Sequence, residues 1–132
     1  MKHAGVVATL LPIAAFYLKL GRFAPARELI EGGVPVALAT DLNPGGGFSP
    51  SMPFAMALAC FGMRMTMEEA LVASTINAAY SIDRHDRVGS FEVGKQLDAV
   101  IVNGDAVDLL NVGVPAIRAV IKRGVVCVQA HA

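Results

Sequence analysis

Asp41 closes an apolar run, Val34-Pro35-Val36-Ala37-Leu38-Ala39-Thr40, and opens a loop, Leu42-Asn43-Pro44-Gly45-Gly46-Gly47. A carboxylate at the end of a buried strand is how a parallel α/β barrel presents a functional group at its C-terminal rim. Such an acid can ligate a metal ion or take a proton from an activated water. It can equally cap the turn that follows, since Asp bonds readily to nearby backbone. The residues alone support both readings. Neither chemistry is within reach of one carboxylate, because a metal site needs three or four ligands. His3 precedes the first apolar run, His85 lies in a charged loop, and His131 is next to the last residue. None falls in an H-x-H or H-E-x-x-H pattern. The Gly45-Gly46-Gly47 run could cradle a phosphate, but it lacks the Lys-Ser/Thr and the immediate helix of such loops. No G-x-S-x-G elbow occurs. Cys60 and Cys127, far apart and in apolar surroundings, read as two buried, reduced thiols.

The elements that must position Asp41 follow from apolar patterning. Gly5 to Leu11 is a continuous apolar run ended by Pro12, which fits a strand buried on both faces. Pro25 to Gly32 reads as a helix with proline in its first turn and glycines at its stop. Val34 to Thr40 is the second buried strand, so the three segments form a βαβ unit with a right-handed crossover. Pro53 to Phe61 is an apolar helix whose Met and Phe residues fill a core. Thr66 and Glu69 form a capping box, and the helix they open is expected to run to about Ile82. Asn77, inside that helix, is expected to bond a neighbouring backbone.

The style changes after Ile82. Asp83 to Arg87 is a charged loop, and Val88 to Lys95 is a tight connection with glycines at turn positions. Ala99 to Val102 is a strand ended by the turn signal Asn103-Gly104. Ile117 to Gly124 alternates apolar and charged residues, and Val125 to Val128 resumes the strand, as in an antiparallel sheet with one wet face.

The chain has 132 residues, 55% of them apolar, with mean hydropathy +0.56. That is apolar for a free-standing domain of this length, which exposes much of its surface. Burial against something outside the chain is the expectation. Eleven basic residues balance eleven acidic ones, and no basic stripe favours nucleic acid. The uncharged runs Ala4 to Leu18 and Leu42 to Met63 are too short or too rich in proline and glycine to span a membrane. No cleavage site makes the N-terminus a signal peptide. A cytoplasmic protein is expected.

Several segments together carry a resemblance. They are Val6 to Pro12, Gly33 to Gly45 with its Ala-Thr-Asp-x-Asn-Pro-Gly core, Ser51-Met52-Pro53, and Met67-x-Glu69-Ala70-Leu71. Thr75-Ile76-Asn77-Ala78-Ala79, Gly89 to Asp98, and Arg118-Ala119-Val120-x-Lys122-Arg123-Gly124 complete them. Over nearly its whole length the chain resembles the imidazolonepropionases, a family of the metal-dependent amidohydrolase superfamily. Gly94-Lys95-x-x-Asp98 marks only the superfamily, whereas the segment around Asp41 is more particular to the family. The resemblance implies an α/β fold, the C-terminal third of a larger enzyme. Residues 1–82 would supply the last two strands and helices of a (β/α)8 barrel, and residues 83–132 the closing strands of a small composite β-sandwich. Met1 is then an internal or misassigned start.

The resemblance further implies that Asp41 ligates one zinc or iron ion and takes a proton from the attacking water. The remaining ligands would lie upstream. Asn43, Gly45 and Gly46 match positions that contact the substrate, 4-imidazolone-5-propanoate, whose cyclic amide opens to N-formimidoyl-L-glutamate in histidine breakdown. A homodimer of the full-length enzyme is compatible with this. Gly46 stands where the family usually has Ser or Thr, and Ile13 where it tends to have Gly. The isolated chain is expected to be inactive. Two other readings stay open. One is a related amidohydrolase with another substrate, such as a deaminase, which the missing hydroxyl at Gly46 favours. The other is a non-catalytic α/β module that folds alone or assembles with itself.

Overall fold

The computed structural model describes residues 5–129. His3 and His131 lie outside them. Two strands, β1 (Ala8–Leu10) and β2 (Val36–Leu38), pair in parallel with Ala8 opposite Val36 and Leu10 opposite Leu38. Both are shorter than the apolar runs that contain them. All three residues of β2 are buried, as in a strand covered on both faces.

Pro12 does more than end β1. It occupies the first turn of a helix absent from the sequence expectation, α1 (Pro12–Tyr17), where its missing N–H costs nothing. Pro12 and Ile13 are fully buried, so the Ile13 side chain is core. Helix α2 (Ala26–Glu31) makes the crossover to β2, and α3 (Met52–Met63) follows the glycine loop. The Ser51 hydroxyl accepts from the Phe54 N–H at the start of α3. Ala26, Met56, Ala59, Met63, Met65, Ala70 and Ala73 close on the strand residues Leu10, Val36 and Leu38 to make one core. Small residues at most of these positions let the helices approach the sheet closely.

The long helix expected from Met67 to Ile82 is two helices, α4 (Met67–Ser74) and α5 (Ile76–Ser81). Thr75 breaks it with φ −120° and ψ −96°, and its hydroxyl donates to the Leu71 carbonyl at 2.7 Å. That local bond competes with the backbone ladder. The capping box is present, with the Thr66 hydroxyl and the Glu69 carboxylate each bonding the other residue's N–H. Glu69 also holds Arg27 of α2 through both carboxylate oxygens, and Arg27 donates to the Arg64 carbonyl. The Arg27 guanidinium, then the Thr66 N–H, lower the Glu69 pKa.

The tail forms a separate antiparallel sheet in the order β3 (Ala99–Val102), β4 (Ile117–Lys122), β5 (Val125–Gln129). Asn103-Gly104 leads not into a tight hairpin but into a 3-10 helix, Ala106–Leu110, capped by Asp105. In β4 only Ala119 is buried, and β5 is exposed throughout. Cys127, expected inside, is therefore exposed, while Cys60 is half-buried. Burial pushes the Cys60 thiol up.

Gly94-Lys95-x-x-Asp98 acts as a brace. The Lys95 ammonium bonds Ser90 and Glu92 within the preceding turn. The Asp98 carboxylate accepts from the Lys122 ammonium, and from the Arg123 N–H at 2.8 Å, so it grips the β4–β5 turn. The Lys122 contact, then the Arg123 N–H, hold Asp98 at about 2 against an ordinary 3.8. A pKa lowered on folding stabilises above the unfolded value and loses that contribution as pH falls through the folded one. Acid titration from pH 4 to 2 is therefore expected to loosen this sheet, read from amide chemical shifts of β3 to β5. Asp98→Asn should weaken it at neutral pH and flatten its dependence in that window. A second outcome is expected for Thr66→Ala, which should cost about 1 kcal/mol in urea unfolding.

Candidate active site

The loop after β2 closes on itself within six residues. Leu42 and Gly47 form an isolated bridge, and the Asn43 N–H donates to the Gly47 carbonyl at 3.1 Å. The Asn43 side chain staples the inside of the loop. Its amide nitrogen donates to the Asp41 carbonyl at 2.6 Å, and its oxygen accepts from the Gly45 N–H at 2.7 Å. Asp41 has φ +51°, in the left-handed region where Asp and Asn are the least strained non-glycine residues. That turn of the backbone leaves Asp41 exposed.

Gly47 is the residue that sequence reasoning undervalued. A methyl group built on it falls 1.9 Å from the Asp41 carbonyl oxygen and 2.9 Å from that of Thr40. Only glycine lets the loop fold back onto the backbone that carries Asp41. The signal was present as a third consecutive glycine. Gly46 is buried, and a methyl there would meet the Leu18 side chain at 3.0 Å. The departure to glycine at 46 thus coincides with Leu18 lying over the loop. Tyr17 meets Phe48 edge to face at 5.4 Å, and Phe16 meets Phe54 at 5.5 Å. The first contact ties α1, at the exit of β1, to the end of the loop after β2, and the second ties α1 to α3.

The structure brings Asp41, Asn43, Gly45 and Gly46 into one loop. No described residue donates to the Asp41 carboxylate, and it fits one oxygen ligand of a hard or borderline ion such as zinc. Among the described residues no group of three or more His, Cys, Asp or Glu side chains could hold a metal. His85 stacks on Tyr80 at 4.2 Å, outside this loop. Asn77 donates across the fold, to the Val36 carbonyl of β2 at 2.9 Å. Among the described residues no helix is long and apolar enough to cross a membrane.

The amidohydrolase family model matches residues 1–128. The chain belongs to the amidohydrolase family. Imidazolonepropionase of Bacteroides thetaiotaomicron is 52% identical over 126 residues, which are 94% of this chain and 30% of that protein. The chain therefore spans about a third of the length of the curated relatives it matches. Its fold is similar to part of E. coli guanine deaminase, with TM-score 0.79 at 19% identity, covering 98% of this chain and 35% of that one. An atrazine chlorohydrolase mutant from Arthrobacter aurescens TC1, complexed with zinc and atraton, gives TM-score 0.80 at 22% identity over 97% of this chain and 32% of that one.

The loop geometry orders two substitutions. Gly47→Ala is expected to cost at least about 2 kcal/mol in chemical denaturation, because a carbonyl must move. Gly46→Ala should cost clearly less, because the Leu18 side chain can turn aside. Equal losses would contradict the closed loop.

Proposed function

We propose that this chain is the C-terminal part of an imidazolonepropionase, hydrolysing 4-imidazolone-5-propanoate to N-formimidoyl-L-glutamate in cytoplasmic histidine degradation. The observation that carries this reading is 52% identity to an imidazolonepropionase across a segment that includes the Asp41 loop. In this reading residues 1–82 complete a (β/α)8 barrel and residues 83–132 complete a small β-sandwich.

Asp41 would hold one zinc or iron ion together with ligands supplied by the rest of the polypeptide. The ion, when bound, supplies Lewis acidity toward water and the ring carbonyl. The Asp41 carboxylate takes a proton from the attacking water and returns it to the ring nitrogen as the C–N bond breaks. Asn43, through its second amide hydrogen, and the Gly45 and Gly46 backbone border the substrate. The stapled, glycine-closed loop fixes the backbone that carries Asp41 and so sets the place from which its carboxylate acts in both proton transfers.

A second reading, an amidohydrolase of the same family with another substrate, is favoured by one observation. Gly46 offers no hydroxyl where the family usually has one.

The 132-residue chain alone should show no metal-dependent turnover. In the longer polypeptide to which it belongs, Asp41→Asn should lower kcat by about 10²–10⁴-fold with the fold intact. Parallel assays with imidazolonepropanoate and with amino-heterocycles such as guanine separate the two substrates. Substantial turnover by the 132-residue chain, or an Asp41→Asn enzyme as fast as the parent, would overturn the reading.

A further inference from the structure

The chain has four asparagines, and the structure holds them differently. The Asn43 carboxamide is bonded at both ends, to the Asp41 carbonyl and the Gly45 N–H, and the next residue is Pro44, which has no N–H. Asn77 donates to the Val36 carbonyl from within α5. Asn111 donates to the Asp108 carboxylate at 3.3 Å and precedes Val112, whose branched side chain crowds its own N–H. Asn103, just after β3, is exposed, and its carboxamide has no partner among the described residues. Gly104 is exposed too, with φ +96° and an N–H that donates to none of the described residues. With no side chain on it, the Gly104 nitrogen is open to approach.

We infer that Asn103 is a site of spontaneous deamidation, the asparagine of the four that converts while the chain is folded. Hydroxide takes the Gly104 N–H proton, and the Gly104 nitrogen attacks the Asn103 Cγ. The new N–Cγ bond closes a five-membered succinimide. The Cγ–Nδ2 bond breaks, and Nδ2 leaves as ammonia after taking a proton from water, which restores the hydroxide. A second water then opens the ring at either carbonyl. One opening gives aspartate in the ordinary main chain, and the other gives isoaspartate, whose main chain runs through the side-chain carbon. Either way one amide and one water become one carboxylic acid and one ammonia. The place matters because this turn joins two parts of the fold. The Asn103 N–H donates to the Ala116 carbonyl at 2.7 Å, and Leu109 and Leu110 of the 3-10 helix beyond it pack against the core. Asp105 and Asp108 cap that helix reciprocally, and the Asp108 carboxylate lies beside Gly104. A third carboxylate adds like charge to the turn, and isoaspartate adds one main-chain atom between the Ala116 bond and the helix. Both changes act on the helix cap, whichever substrate the amidohydrolase takes.

The 132-residue chain is held at mildly alkaline pH in native buffer, and in parallel in urea, with samples taken for peptide mass mapping. In the native chain the Asn103 peptide should gain about one dalton and split into two products, one of them a substrate for an isoaspartate methyltransferase. Asn77 and Asn111 should convert at least about tenfold more slowly, because each must first break a hydrogen bond. Asn43, blocked by Pro44, should stay unchanged. In Asn103→Gln the early mass gain should vanish, since closure of the larger ring is far slower. Amide chemical shifts of residues 105–110 should move as product accumulates, and shifts that stay put would overturn the effect on the helix cap. Conversion of Asn103 in urea but not in native buffer would overturn the site itself. So would equal rates at Asn103 and Asn111 in the native chain.

Discussion

The α-carbon of Gly47 lies against the carbonyls of Thr40 and Asp41 with no room for a side chain between them. That contact forces the chain leaving β2 to double back at once. It puts Asp41 into a left-handed backbone conformation and sets Asn43 where its one side chain can bond both limbs of the loop. The backbone of Asp41 is thereby fixed by loop closure, and its carboxylate oxygens are left free of described donors. In the proposed role as ligand and proton shuttle, Asp41 needs its carboxylate oxygens unspent on its own loop. Here Asn43 and Gly47 bear the structural role instead.

The scaffold beneath serves that loop. β2 is buried along its length, α1 covers the loop through Leu18 and Tyr17, and α5 reaches back through Asn77 to the foot of β2. Glu69 joins a helix cap to Arg27 and so ties the crossover helix α2 to the later helix α4. A sheet of two parallel strands with unsatisfied edges is far from the three or more strands that a self-sufficient sheet needs. The proposal that the chain completes a larger barrel gives the apolar composition and the open edges one cause.

Much of this was legible in the residues. The parallel strands, the crossover helix, the capping box at Thr66 and the antiparallel tail follow from patterns whose physics is local. What escaped depended on tertiary detail. Pro12 reads as a stop but opens α1, because proline suits a helix start as well as a strand end. Thr75 carries no breaker signal, yet its hydroxyl bond to Leu71 divides the helix. Cys127 sits on an edge strand whose exposure no apolar run reveals. The resemblance singled out Asn43 and Gly46 as substrate contacts, whereas their visible work is to staple the loop and to seat beneath Leu18.

The most direct measurement is an anomalous-scattering map at the zinc edge from crystals of the longer polypeptide grown with zinc. The expected result is a single peak about 2.0–2.2 Å from an Asp41 carboxylate oxygen, with the Asn43 and Gly47 contacts of the loop intact. A zinc peak whose ligands exclude Asp41, or a loop opened so that Asn43 no longer bonds the Asp41 carbonyl, would contradict it.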